Sequence, residues 1–120
     1  PSLIYKTKDI WGFSQLPSEP NFITQKKIIG QIQLSSEEKV NLNGKIVFIN
    51  SADPGYDWIF TKNIAGLVTK YGGANSHMAI RANELGIPSI IGAGEQFYDF
   101  WKKYNFLSID CSKKKVEVLS

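Results

Sequence analysis

The chain is 120 residues long with 42% apolar and 12% aromatic residues, which fits one globular domain and excludes a disordered segment. Fourteen Lys and Arg against eleven Asp and Glu give a formal charge of +3; this suits anionic substrates, and no stripe of basic and aromatic residues points to nucleic acid. A single cysteine, Cys111, excludes an intramolecular disulfide and suits a reducing compartment.

With one cysteine and one histidine no zinc cluster, and no metal site, is expected. No apolar run is long enough to cross a bilayer and no signal-peptide pattern is present, so a cytoplasmic chain without a membrane partner is expected. The chain opens on Pro1 rather than methionine, which suggests a domain cut from a longer protein.

In chain order, residues 1–22 read as an irregular linker or strap, with Pro17 and Pro20 in it and Trp11 and Phe13 available to pack on the domain surface. The domain proper is expected over residues 23–120. Ile28, Ile29, Ile32 and Leu34 suggest a strand between Ile23 and Leu34, with Gly30 marking a bend or bulge. Glu37 and Glu38 lie in a polar loop ending at Asn43-Gly44, and Lys45 to Asn50 is a β-branched strand apolar enough to be buried on both faces.

Asp53-Pro54 is a helix start, aspartate at the N-cap and proline at the first helical position, with Trp58, Ile59 and Phe60 as its core face. Gly66 to Thr69 reads as a strand. Pro88 to Ile91 is a short strand, and Phe97, Phe100 and Trp101 give Glu95 to Tyr104 helical spacing. Phe106–Asp110 and Val116–Leu119 form a hairpin-like pair around the charged turn Lys113-Lys114-Lys115. Strand and helix alternate from residue 44, predicting an α/β domain with largely parallel pairing, either a small flavodoxin-like sheet or another layered arrangement.

Between the strand at Thr69 and the strand at Pro88 lies the stretch that carries chemistry. Gly72-Gly73 frees the backbone for a tight turn, Ser76 is a good N-cap, and Gly86 and Pro88 stop the helix that follows. His77 then sits where free N–H groups and the positive end of a helix dipole face outward, an anion site. A histidine nucleophile there can accept a phosphoryl group and hand it on. The bland reading is a solvent-facing histidine on an ordinary helix N-terminus.

The run Gly66-Leu67-Val68-Thr69, Gly72-Gly73, Ser76-His77, Ala79-Ile80, Glu84-Leu85-Gly86-Ile87-Pro88 and Ile91-Gly92 closely resembles the phosphohistidine domain of PEP-utilising enzymes. That family includes pyruvate phosphate dikinase, PEP synthase, enzyme I of the sugar phosphotransferase system and rifampicin phosphotransferase. The resemblance is dense over about residues 44–94 and looser from Ile23 to Leu119. It implies the swivelling β/β/α fold, with two sheet layers backed by helices, and His77 as the phosphorylated residue. It also implies a partner nucleotide-binding (ATP-grasp-like) domain and an acceptor or PEP/pyruvate domain in the parent protein, which bind ATP or PEP and Mg²⁺; this domain binds no cofactor itself.

Six positions after the histidine the family usually has arginine, and this chain has Asn83. Arg81 lies one helical turn after His77 on the same face, so it is expected to supply the missing charge, or else to pair with Glu84 in solvent. The Gly72, Gly73, Ser76 and Met78 positions are expected to bind phosphate through backbone N–H groups. Asp53 and Thr69 are expected to support the site, although an N-cap for Asp53 and a structural role for Thr69 are the alternatives. Asp57 and Glu84 read as solvated carboxylates, and Trp58 and Trp101 as core or docking surface. The resulting expectation is a phosphoryl-carrier domain of a dikinase-like phosphotransferase, inactive alone; the alternative is a non-catalytic docking module that lost transfer, which Asn83 keeps open.

Overall fold

The computed structural model describes residues 3–6, 20–34 and 41–119 of the chain. Eight strands form one sheet: β1 (Leu3–Lys6), β2 (Asn21–Ile23), β3 (Lys27–Leu34), β4 (Lys45–Ser51), β5 (Gly66–Tyr71), β6 (Ser89–Ile91), β7 (Phe106–Asp110) and β8 (Lys115–Leu119). A 3₁₀ helix spans Pro54–Lys62, and two α-helices follow, α1 (His77–Leu85) and α2 (Glu95–Trp101). The strand order is β1-β8-β7-β3-β4-β5-β6-β2.

Pairing is parallel only in the centre. β3, β4, β5 and β6 run parallel, each joined through a crossover, as the strand-helix alternation predicts. The flanking pairs β1–β8, β8–β7, β7–β3 and β6–β2 are antiparallel, so the sheet is mixed rather than largely parallel. β1 and the first two residues of β2 come from the segment read as an irregular strap. Leu3–Lys6 pairs with β8, and Asn21–Ile23 pairs with β6. Short edge strands of this kind carry little periodicity to read. Trp11, Phe13, Pro17, Glu37 and Glu38 lie outside the described residues.

The sheet curls strongly. Four strand spacings separate β7 from β6, roughly 19 Å in a flat sheet, yet the Cys111 thiol, just past β7, donates to the Ser89 carbonyl of β6 at 3.7 Å. Gly30 is not a bulge. It sits in an unbroken β3–β7 register opposite Leu107, and a Cβ there would meet Ile46 Cγ1 at 3.1 Å. Close approach of the neighbouring strand, not a bend, is what the missing side chain serves.

Alternation along β4 divides the core. Ile46 and Phe48 face α2, in a cluster with Val68, Ile90, Leu107, Ile109 and the α2 residues Phe97, Tyr98 and Trp101. Val47 and Ile49 face the other way, against Leu67, Ile91, Ile59 of the 3₁₀ helix and Met78 and Ala79 of α1. Each fully buried aliphatic side chain of this kind contributes roughly 1.5–3 kcal/mol of transfer free energy. Burial on both faces is what the apolar run at Lys45 to Asn50 predicts.

Helix α1 is fastened at its C-terminal end. Gly86 is left-handed at φ +68°, and the Ile87 amide returns to the Ala82 carbonyl at 2.9 Å. From the β2–β3 turn, Lys26 Nζ donates to the Gly86 carbonyl at 3.1 Å and Thr24 Oγ1 to the Ala82 carbonyl at 3.4 Å. No described helix is long and apolar enough to cross a membrane.

Candidate functional site

β5 delivers the chain into the turn that precedes α1. Gly72 adopts φ +136°, and a Cβ on it would lie 2.5 Å from Ala52 Cβ, so neither conformation nor space admits a side chain. Gly73 has open space around it, and its carbonyl accepts the Ser76 amide at 3.0 Å. Ser76 is extended and caps α1, its Oγ accepting from the Ala79 amide at 3.3 Å while its carbonyl accepts from Ile80. The His77 amide, at the first helical position, has no acceptor among the described residues.

The His77 ring is exposed but held. Its Nε2 lies 2.8 Å from Asp57 Oδ1, and the same oxygen accepts from Arg81 Nε at 3.2 Å. A carboxylate has no proton to offer, so the imidazole donates through Nε2. The hydrogen bond from His77, with Arg81 adding to it against the cost of desolvation, holds the Asp57 carboxyl below the usual carboxylate range.

Local geometry explains the cluster. His77 and Arg81 are four apart on α1 and share a face. In the 3₁₀ helix three residues make a turn, so Asp57 and Phe60 stack along one edge. Arg81 meets both, with its guanidinium carbon 5.8 Å from the Phe60 ring centre and its Nη1 3.6 Å from Glu84 Oε1. Arg81 therefore reaches the His77 neighbourhood and pairs with Glu84 as well. Asn83 lies on another side of α1, bordering a groove of about 380 Å³ that Phe22, Thr24 and Ile80 also line.

Asp53, Thr69 and Met78 each have an engagement of their own in the fold. Asp53 caps the 3₁₀ helix, its Oδ1 accepting from the Gly55 amide at 2.8 Å, and the carboxylate that meets His77 is Asp57. Thr69 is wholly buried; its Oγ1 donates to the Tyr71 carbonyl and accepts from the Gly92 amide, each at 2.9 Å. Met78 is also wholly buried, because the second helical position lies on the face packed against the sheet, and its amide is closed to the surface.

Asp57 reads as a solvated carboxylate in the sequence, and it is 42% exposed while it holds the His77 ring. The signal for it was weak: an acid in the first turn of a helix, twenty residues before the histidine, with no spacing rule linking the two. Among the described residues no group of three or more His, Cys, Asp or Glu is placed to hold a metal ion.

A solution NMR structure of a UPF0107 protein shares the fold, with a TM-score of 0.65 at 14% identity, covering 86% of this chain and 98% of that one. The chain is 37% identical over 70 residues to phosphoenolpyruvate synthase of Synechocystis, 58% of this chain and 8% of the relative. It is 43% identical over 51 residues to that of Aquifex aeolicus, 42% of this chain and 6% of the relative. It is 41% identical over 56 residues to rifampicin phosphotransferase of Bacillus cereus, 46% of this chain and 6% of the relative. The chain thus spans less than a tenth of the length of these large proteins. Residues 41–114, which hold both the 3₁₀ helix and the His77 helix, match the family of the PEP-utilising enzyme mobile domain. The chain belongs to that family.

Proposed function

We propose that the chain is the phosphoryl-carrier unit, a swivelling β/β/α domain, of a PEP-utilising or ATP-dependent dikinase-like phosphotransferase, with His77 as the residue that is phosphorylated. The observation that carries this reading is the placement of His77. The ring stands at the open N-terminus of α1, beside the Gly72-Gly73 turn and next to Arg81. The family match and the phosphoryl chemistry in the relatives' names add support.

In the proposed reaction a ring nitrogen free of its proton attacks the phosphorus of a donor bound on a separate domain. An N–P bond forms and the donor P–O bond breaks, its electron pair going to the departing oxygen. The His77 amide and the Gly72-Gly73 turn offer N–H donors to the transferred charge, and Arg81 offers a cation. Met78 and Thr69 then contribute by fixing the helix and the loop rather than by touching phosphate. ATP or PEP, with Mg²⁺, binds on a nucleotide-binding or PEP/pyruvate domain of the parent, and the parent works in the cytoplasm, where the free thiol of buried Cys111 is at home.

The test is intact mass of the full-length parent after incubation with Mg²⁺ and ATP, and in parallel with PEP. One added phosphoryl on wild type, labile in acid and stable in base, and absent from His77→Ala, is the expected result. No adduct with either donor sinks the carrier reading and leaves the docking module.

A further inference from the structure

We infer that Asp57 is a positioning residue that sets how readily His77 gives up a phosphoryl group, by competing with that group for Arg81. The inference rests on the carrier reading. In the resting site one oxygen, Asp57 Oδ1, takes both the His77 ring and Arg81, at 2.8 and 3.2 Å. Arg81 is the described cation in contact with this pair, and its other edge is engaged by Glu84 at 3.6 Å. Its side chain is 36% exposed and long, so it can change partners without disturbing the core.

A phosphoryl group on the ring changes the balance. It brings nearly two negative charges, by analogy with other phosphorylated side chains, into the neighbourhood of a carboxylate that touches the same ring. Like charges repel there, and the three phosphoryl oxygens match a guanidinium better than one carboxylate oxygen does. The phosphoryl group takes Nε2, whose proton passes to water; Arg81 turns to it, and Asp57 loses both of its donors while facing an anion.

The loaded state is therefore raised in free energy relative to the resting one by the interactions Asp57 gives up. Discharge restores them. The N–P bond breaks with its electron pair returning to the ring, an acceptor oxygen forms the new P–O bond, and any proton on that oxygen passes to water. Asp57 touches neither donor nor acceptor; it acts through His77 and Arg81.

The experiment uses the full-length parent with whichever of ATP or PEP loads wild type, at a donor-to-product ratio that leaves both forms populated. Intact mass reads the ratio of phosphorylated to free protein. Asp57→Asn raises that ratio, roughly two- to fivefold for a contact this exposed; Asp57→Ser moves it the same way, and both slow discharge to the acceptor. Arg81→Ala lowers it. General damage to the fold lowers loading in all three variants, so the opposite signs separate the two causes. A ratio that is unchanged or lower in both Asp57 variants overturns the inference while leaving the carrier reading intact, whereas wild type that takes no phosphoryl from either donor removes both.

Discussion

Thr69 Oγ1 accepts the Gly92 amide at 2.9 Å, binding the end of β5 to the loop that follows β6. The residue is wholly buried, so replacing Thr69 with Val keeps its shape and leaves that amide without its partner. The expected loss is about 1–3 kcal/mol of stability. Urea unfolding of the two proteins should show a lower midpoint with the same slope. His77 loading per folded molecule should be unaltered.

Gly72 and Gly73 should respond in opposite ways to one methyl group. At Gly72 the conformation (φ +136°) and the 2.5 Å approach to Ala52 Cβ both resist alanine, and a loss of more than about 1–2 kcal/mol follows. Gly73 has open space around it, and Gly73→Ala should cost well under about 1 kcal/mol. Thermal melts of both variants give the comparison directly.

Met78→Ala should cost about 2–5 kcal/mol, because its side chain is wholly buried between α1 and the sheet. Met78→Leu conserves volume and should cost less than about 1.5 kcal/mol. If Met78→Leu folded normally yet abolished loading of His77, a purely structural role for this position would be refuted.

Much of the central architecture is readable from local pattern. The β-branched run at Lys45 to Asn50, the Asp53-Pro54 start, the Ser76 cap and the Gly86-Ile87-Pro88 stop each act over a few residues, and each appears where its chemistry puts it. What escaped reading depends on partners distant in sequence. Leu3–Lys6 becomes a strand because β8 offers it an edge, and Asp57 meets His77 because a nine-residue 3₁₀ helix lies beside α1. A three-residue turn and a 3.6-residue turn look alike over so short a segment, and the local signal there is the Asp53 cap, not Asp57.

The Asp57 carboxyl sits below its ordinary range when folded, so it stabilises the fold above that range, and the contribution is lost as pH falls through the lowered value. The stability difference between wild type and Asp57→Asn should thus be present at pH 6 and vanish in strong acid. With His77 and Asp57 side chains each 42% exposed, its size should stay under about 1 kcal/mol and shrink with added salt. Denaturant midpoints at the two pH values measure it.

Burial pushes the Cys111 thiol up to about 11, and the side chain is almost wholly enclosed. Iodoacetamide at pH 8 should leave the folded protein unmodified and label it promptly in urea. Rapid labelling of the native protein would mean that the curled sheet opens between β7 and β6.

The fastening of α1 by Lys26, Thr24 and Gly86 has a mechanical consequence. With its far end tied to the β2–β3 turn and its inner face sunk in the core, the helix has little freedom to slide or tilt independently of the sheet. Side-chain rotation can move the His77 ring through a few ångströms and no further. Any longer journey of that ring requires α1 to move together with the sheet it is tied to.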